Sequence, residues 1–283
     1  MISATMCTAL LLSFWAAPGT VEGSLTVNGT DIKISHVYSL YHDDEDKVLL
    51  DGPETRVVFT DREIDPSLLE LPSLFNLQAM ARDGKLQGVI LNFDPKEEPI
   101  TLHGTLLHVP ADPTASMPFF SLSGTEYGEI KVSKDSVEGR AKYASEVSST
   151  FPDMPAFTYD FSFKCDVAKM PPVSEKLQGA AAAKSAQAKA LLDFEHLVLS
   201  GDLDAARKLA TSNRMAGLDE IIKQVGKDEF LGQAKQFIPD TATRAKQISL
   251  ITVRGKRAVL NADEGNGVTT FQLVKEGDAW KVD

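Results

Sequence analysis

The densest group of possible metal ligands in the sequence is His42 followed by four consecutive acidic residues at positions 43–46. Carboxylate oxygens are the ligands that hard cations such as Ca²⁺ prefer. A calcium-binding loop of the helix–loop–helix kind also needs alternating ligands, a Gly at the turn and a carboxylate near position twelve. Because the four acids are merely adjacent, we interpret the run as a solvated acidic loop and predict no metal site. Cation binding by residues 43–46 is the alternative.

The histidines are spaced poorly for joint chemistry. His103 and His108 are five residues apart on one predicted strand, which places them on opposite faces unless a bulge intervenes. His36 shares the apolar face of its predicted strand, so we expect a core histidine there. His196 should face away from the apolar stripe of its helix and be exposed. The spacing therefore gives no metal-binding or acid–base pair.

Motifs of covalent and phosphate chemistry are absent from the sequence. It contains no Gly-x-Ser-x-Gly, no His-Glu-x-x-His, no Gly-rich phosphate loop and no paired cysteines. Cys165 belongs to a segment, Phe157 to Val167, in which apolar and polar residues alternate with the period of a strand. Cys165 occupies an apolar position in this alternation, which predicts a buried thiol rather than a nucleophile. We therefore expect a non-catalytic protein without a cofactor.

The overall charge excludes one class of partner. The chain carries 40 acidic and 29 basic side chains, a formal net charge of -11. Proteins that bind nucleic acid concentrate positive charge on a surface. We therefore predict no nucleic-acid partner.

The one sustained apolar run extends from Cys7 to Ala17. Its length is typical of the apolar core of a leader peptide and is too short to span a bilayer. No Lys or Arg precedes it, unlike the usual leader, and an N-terminal helix packed on the domain is the alternative. We predict that residues 1–23 are a leader cleaved after Gly23. The protein would then be exported, periplasmic or extracellular, with no membrane span after cleavage.

Charge and composition divide the remaining chain in two. Residues 24–169 hold 24 acidic and 13 basic side chains, whereas residues 170–283 hold 15 and 16. Pro171 and Pro172 lie between the halves, and proline is excluded from helix interiors and central strands. An Ala-rich segment with strong helix propensity follows. We predict an acidic β-rich domain at 24–169, a linker and start of helix at 170–190, and a second domain at 191–283.

The first domain is predicted to be mostly strand. Leu25–Val27 and Ile32–Tyr38 flank Asn28-Gly29, the dipeptide best suited to a tight hairpin turn. Spacing of apolar residues predicts one helix from Pro72 to Arg82, with Gly84 as its stop. We predict an antiparallel β-sandwich or half-barrel with one helix. Further strands are expected at Arg56–Thr60, Gly88–Phe93, Ile100–His108, Glu129–Ser133, Val137–Tyr143 and Phe157–Val167.

The second domain has helices first and strands afterwards. An apolar stripe predicts a first helix that ends at Gly201, and Leu203–Ala210 and Leu218–Ile238 supply further helical segments. Four strands joined by Gly-containing turns follow. The fold class of the whole chain is therefore predicted to be α+β. The four strands are expected at Arg244–Val253, Lys256–Asp263, Val268–Lys275 and Ala279–Val282.

The ending of the chain, Lys275-Glu-Gly-Asp-Ala-Trp-Lys-Val282, together with the order of helices and strands, resembles small exported bacterial domains of the nuclear-transport-factor-two-like, cystatin-like cone superfamily. The first domain is similar to uncharacterised secreted bacterial domains with a Leu-Thr-Val-Asn-Gly hairpin. The cone resemblance implies an apolar ligand pocket in the second domain. Its wall would be formed by Phe194, Leu197, Val198, Phe237, Phe271 and Trp280.

These residues could equally fill the core, because an aromatic stripe at helical spacing is first of all a packing feature. We expect an exported, non-catalytic binding or interaction protein whose partner is another protein or a small apolar ligand. The alternative is a small-ligand carrier or an enzyme that uses the cone pocket.

Overall fold

The computed structural model describes residues 18–43, 53–70, 75–93, 102–110, 119–122, 128–144, 155–265 and 267–283. It contains helices and predominantly antiparallel sheets, so the predicted α+β class is confirmed. The chain divides into two compact units, Met1–Met170 and Pro171–Asp283. Within the described ranges, no sheet includes strands from both units.

Within its described residues, the N-terminal unit contains two sheets, a short 3-10 helix at Pro66–Glu70 and helix α1 at Phe75–Arg82. The strands are β1 (Thr20–Val27), β2 (Thr30–Lys33), β3 (His36–His42), β4 (Glu54–Thr60), β5 (Gly88–Phe93), β6 (Leu102–Leu107), β7 (Phe119–Leu122), β8 (Gly128–Val132), β9 (Ser136–Ala144), β10 (Phe157–Asp166) and β11 (Ala168–Lys169). The first sheet has the order β2-β1-β10-β9-β8 and the second β11-β3-β4-β5-β6-β7. Within the second sheet, β11 pairs with β3 in parallel.

The predicted hairpin between β1 and β2 is confirmed. Asn28 and Gly29 both have positive φ, 49° and 78°, the backbone twist that a two-residue hairpin turn needs. The prediction that Ile32–Tyr38 is one strand is wrong, because the chain leaves the first sheet after Lys33. The Ser35 N–H then donates to the carbonyl of Thr60, and β3 begins in the second sheet.

The two sheets of this unit share one hydrophobic core. Along β10, every second residue is buried and the intervening residues are exposed, as the alternating sequence predicted. Cys165 is one of the buried residues, and its thiol donates to the carbonyl oxygen of Asp166 at 3.4 Å. Burial raises the pKa of the Cys165 thiol to about 11. The thiol is therefore protonated at neutral pH, which fits the packing role that the sequence predicted.

We expect Cys165 to resist thiol reagents while the protein is folded. In a Cys7→Ser background at pH 8, a pKa near 11 leaves about a thousandth of the thiol as the reactive thiolate, and burial restricts access further. A colourimetric disulfide reagent should release almost no chromophore from the folded protein in an hour. The same sample in urea should release one equivalent within minutes. Rapid stoichiometric labelling without urea would contradict the buried placement.

The second sheet is covered on its other face as well. The 3-10 helix and α1 contribute Leu69, Leu77 and Ala81 to a second core on that face. Every described residue of β4 and β5 is therefore buried, whichever way its side chain points. Of the predicted helix at Pro72–Arg82, residues 75–82 are helical, and positions 71–74 lie outside the described ranges.

Over residues 171–265 and 267–283, the C-terminal unit contains one five-stranded sheet and six helices. The helices are α2 (Gly179–Ala183), α3 (Ala186–Ser200), α4 (Leu203–Ala206), α5 (Ser212–Val225), α6 (Lys227–Phe237) and α7 (Thr241–Gln247). The strands are β12 (Glu175–Gln178), β13 (Ile248–Arg254), β14 (Arg257–Asp263), β15 (Val268–Glu276) and β16 (Ala279–Val282). The strands lie in this order in the sheet, and all their pairings are antiparallel.

Capping residues set the helix boundaries of this unit. The Ser185 side chain accepts from the Ala188 N–H at the start of α3, and Gly201 ends the helix in the left-handed conformation. The predicted stop at Gly201 is thus confirmed. The predicted helical stretch at Leu218–Ile238 is two helices, because Gly226, at φ 87°, separates α5 from α6.

Two segment assignments made from the sequence need correction. Residues 175–178, expected to belong to a linker, form the edge strand β12, which hydrogen-bonds to β13. Their lack of a buried face hid the strand, since only Leu177 among them is even half-buried. Residues 244–247, expected to begin a strand, complete α7, which the Asp240 side chain caps at its start.

The predicted leader lies mainly outside the described residues, which begin at Pro18. Residues 20–23, however, form the first half of β1 and pair with β10. At Gly23, whose φ is 132°, a Cβ would lie 1.9 Å from the carbonyl oxygen of Asp160, so the close pairing of β1 with β10 requires glycine at this position. Cleavage after Gly23, as predicted, would therefore remove half of a paired strand. Among the described helices, none is both long and apolar enough to cross a membrane.

Candidate functional site

The six residues expected to form a pocket wall in the C-terminal unit mostly contribute to its core. Phe194 and Val198 are almost completely buried, and Leu197, Phe271 and Trp280 pack against the same core while half-buried. Phe237 is 78 % exposed. It is the last residue of α6 and follows the buried Ala234 by one turn, so it lies beyond the part of the helix that packs. Phe237 therefore does not share a wall with the other five.

The same core contains a charged network that no sequence pattern above predicted. The Arg244 Nε donates to both carboxylate oxygens of Glu195, at 3.2 and 3.1 Å, and Nη1 donates to Glu264 Oε1 at 2.7 Å. The guanidinium carbon lies 4.9 Å from the ring centre of Phe271. The helical spacing from Leu191 to Glu195 is the signal that places this carboxylate on the buried face of α3.

Burial affects the two carboxylates of this network differently. Desolvation raises the pKa of Glu195 and outweighs the lowering by Arg244. The hydrogen bond from Arg244 lowers the pKa of Glu264, which is partly exposed. Arg244 on α7 thus joins Glu195 on α3 to Glu264 in the β14–β15 connection, and the network links these three elements.

The histidines are placed separately. His36 is half-buried, with its ring centre 6.4 Å from that of Tyr38, rather than fully in the core. His196 is exposed, as predicted. The strand that carries His103 ends at Leu107, so the alternation of faces along this strand does not extend to His108. Burial lowers the pKa of His108. In the described ranges, no three His, Cys, Asp or Glu side chains are arranged to hold a metal.

The prediction that His42 belongs to a solvated acidic loop is wrong. His42 is fully buried at the end of β3. Its Nε2 donates to the carbonyl oxygen of Leu69 at 2.9 Å. Of the adjacent acidic run, Asp43 is half-buried, and residues 44–46 lie outside the described ranges. The proposed cation-binding alternative for residues 43–46 therefore has no described geometry.

A band of buried polar side chains surrounds His42 on the outer face of the second sheet. The Arg56 Nη2 donates to Glu54 Oε1 at 2.8 Å, and Nε donates to Asn92 Oδ1 at 3.3 Å. All four side chains have no exposed surface. Glu54 Oε2 and Asn92 Nδ2 are buried and have no hydrogen-bond partner in the part of the chain that the structure describes. The band anchors the 3-10 helix, because Arg56 and His42 both donate to the Leu69 carbonyl.

An open pocket of about 280 Å³ lies where β9 ends and β10 begins. Its floor is aromatic: Tyr143 and Tyr159 are cross-strand neighbours with ring centres 5.9 Å apart. Phe120, on the opposing sheet, stacks on Tyr143 with ring centres 4.9 Å apart, which fixes the Tyr143 ring. The pocket is lined by Lys142, Tyr143, Ala144, Tyr159 and Asp160.

The hydroxyl of Tyr159 is buried and has no hydrogen-bond partner among the residues that the structure describes. Buried polar atoms are nearly always hydrogen-bonded, to protein, water or a ligand. Burial raises the pKa of Tyr159 well above its usual value, so the hydroxyl remains a neutral donor at physiological pH. The pocket therefore lies beside an aromatic side chain whose hydroxyl is buried and makes no hydrogen bond to the described residues. Sequence alternation predicted that Tyr159 points inward, but it gave no signal for the opening beside it.

Comparisons with protein-family models, with curated proteins and with solved structures each found no match to this chain.

Proposed function

We propose that the protein is an exported, non-catalytic binding protein whose N-terminal unit takes a small, largely apolar molecule into the Tyr143–Tyr159 pocket. The observation that carries this proposal is the buried hydroxyl of Tyr159, which makes no hydrogen bond within the described ranges, beside an open aromatic pocket. Ligand pockets typically combine apolar and aromatic walls with a few placed polar groups. The apolar segment from Cys7 to Ala17 supports export.

The proposal includes a finer assignment of the two folds. The N-terminal unit is an antiparallel β-sandwich, supported by the single core shared by its two sheets. The C-terminal unit belongs to the cystatin-like cone superfamily, supported by the order of helices and antiparallel strands. Use of a cone pocket by a carrier or an enzyme has less support, because Phe194 and Val198 are filled core positions.

Calorimetric titration with 2-naphthamide tests the binding proposal. This uncharged probe offers a flat apolar ring and a carbonyl that can accept from Tyr159. Replacing Tyr159 by Phe removes only the hydroxyl, so we expect an affinity about fivefold lower, the effect of one ordinary hydrogen bond. Ala144→Trp should abolish binding, because Ala144 is exposed at the pocket and the indole would fill it.

Tyr38→Phe is the matched control. It removes a hydroxyl in the same unit that already accepts a hydrogen bond from the Ile64 N–H at 3.2 Å, away from the pocket. This variant should bind 2-naphthamide like the unmodified protein. No binding by the unmodified protein, or binding unaffected by both Tyr159→Phe and Ala144→Trp, would refute the proposed site.

A further inference from the structure

We propose that strand β8 is an association edge, at which the first sheet pairs antiparallel with β8 of a second copy of this chain. The proposal is independent of ligand binding, because the described lining of the Tyr143–Tyr159 pocket includes no residue of β8. It follows from the backbone groups that β8 presents on its outer side and from the order of the two charged side chains along the strand.

β8 ends the first sheet, and within the described ranges no strand pairs with its outer side. Edge strands present unpaired backbone N–H and C=O groups, to which a strand of another molecule can bond, and proteins often block them with a proline or a bulge. β8 has no proline, and its pairing with β9 is continuous from Gly128 to Val132. Its backbone is therefore open to pairing, and its two charged side chains decide which strand can pair.

The hairpin of β8 and β9 determines which backbone groups of β8 are already used. The Ser133 N–H donates to the carbonyl of Ser136 at 2.8 Å, where the hairpin closes. Hydrogen-bonded and non-hydrogen-bonded pairs alternate along an antiparallel ladder, so the next hydrogen-bonded positions on β8 are Lys131 and Glu129. The backbone N–H and C=O of Ile130, between them, therefore point away from β9 to the free edge.

The order of the charges selects one register for two β8 strands. The outward backbone groups of the two copies can face each other about a two-fold axis at Glu129, Ile130 or Lys131. An axis at Glu129 or at Lys131 places two like charges directly opposite each other, which is destabilising. An axis at Ile130 places Glu129 of each copy opposite Lys131 of the other and overlaps the whole length of both strands. The sequence Glu-Ile-Lys is therefore self-complementary in this register.

Both charged side chains of β8 are available to a second copy. Glu129 and Lys131 are exposed and, among the described residues, form no ion pair or side-chain hydrogen bond. Their cross-strand neighbours on β9 are bound to β10 instead, by the ion pairs Arg140–Asp160 and Glu138–Lys164. A second copy would therefore give each of the two residues its opposite charge.

The inner face of β8 favours the same pairing. Ile130 and Val132 are half-buried and pack against the core of the N-terminal unit. Directly opposite residues in a sheet lie on the same face, so Ile130 of one copy would contact Ile130 of the other. Since five residues per copy make a small interface, we expect a weak dimer.

Sedimentation velocity with the full chain tests the association. We expect monomer at about 10 µM and a growing dimer fraction toward about 1 mM, a range that covers weak dissociation constants. Lys131→Glu converts both facing pairs into like charges, so the dissociation constant should rise at least about tenfold. Glu129→Lys should have the same effect. Both side chains are exposed, so neither substitution alters the core.

An equimolar mixture of the two variants separates pairing at β8 from a general effect of charge. Two lysines of one copy then face two glutamates of the other, so the mixture should associate at least as strongly as the unmodified chain. Lys33→Glu is the matched control, because it makes the same change of charge at an exposed position of β2, the opposite edge strand of the same sheet. It should leave the dissociation constant unchanged.

A chain that stays monomeric at about 1 mM, or a dimer unaffected by Lys131→Glu, would overturn the pairing at β8. An equal response to Lys33→Glu, or a mixture of the two variants that fails to associate, would also overturn it. These results leave the pocket untouched, because 2-naphthamide binding is measured separately.

Discussion

Replacing Arg56 by Met should lower the free energy of unfolding of the N-terminal unit by about 3–5 kcal/mol, the typical cost of removing one partner from a buried ion pair. Arg56 and Glu54 are 2.8 Å apart and neither side chain has exposed surface. Without the guanidinium, Glu54 is a buried charge with no donor among the described residues, and Asn92 Oδ1 loses its hydrogen bond as well. Urea denaturation followed by the near-ultraviolet tyrosine signal measures the effect, since all five tyrosines lie in this unit.

Two further variants distinguish the loss of charge compensation from the loss of volume. The double variant Arg56→Met with Glu54→Leu removes both charges and should recover most of the lost stability, because buried ion pairs are often replaceable by apolar residues. Arg140→Met breaks an exposed pair in the same unit and should leave the denaturation midpoint nearly unchanged. If Arg56→Met alone had no larger effect than Arg140→Met, the buried placement of the band would be wrong.

Arg244→Met should destabilise the C-terminal unit by a similar amount, about 3–5 kcal/mol. The substitution removes the only described donor to Glu195, whose carboxylate is nearly inaccessible to water. It also removes the ion pair to Glu264 and the contact with the Phe271 ring. Denaturation followed by the fluorescence of Trp280, in a Trp15→Phe background that leaves no other tryptophan, reports on this unit.

Lys189→Met serves as the comparison for this prediction. Lys189 pairs with Asp193 on the exposed side of α3, so the helix loses a surface ion pair and nothing else. The Trp280 transition should therefore hardly move. Because the pKa of Glu195 is raised by burial, the Arg244→Met variant should also regain stability as the pH falls and Glu195 takes up a proton. A variant equally destabilised at every pH would contradict the role assigned to Glu195.

Local features of the chain were predictable because they depend on neighbouring residues alone. Asn28-Gly29 specifies its hairpin turn through the backbone freedom of two positions. The period-two pattern of β10 places Cys165 and Tyr159 inward without any knowledge of the partner strands. Gly201 ends α3 because a left-handed residue is favoured at that position.

The features that the sequence did not predict depend on which helices and sheets cover each strand, and no local sequence pattern encodes this. Alternation predicts polar residues on a solvent face, but both faces of β4 are covered, so Glu54 and Arg56 are buried together. His42 was assigned to the acidic run next to it in sequence, whereas its Nε2 donates to the carbonyl of Leu69, 27 residues away. The Tyr143–Tyr159 pocket likewise depends on the register between β9 and β10 and on an opening between side chains. The spacing of the aromatic residues predicts neither of these.

A crystal structure of the full chain soaked with 2-naphthamide tests the binding site most directly. We expect density for the naphthalene ring against Tyr143, with the amide oxygen within about 2.5–3.0 Å of the Tyr159 hydroxyl, the distance of an O–H···O hydrogen bond. Density for the probe at another place, or a pocket in which Tyr159 donates to a protein group and no probe is bound, would contradict the proposed site.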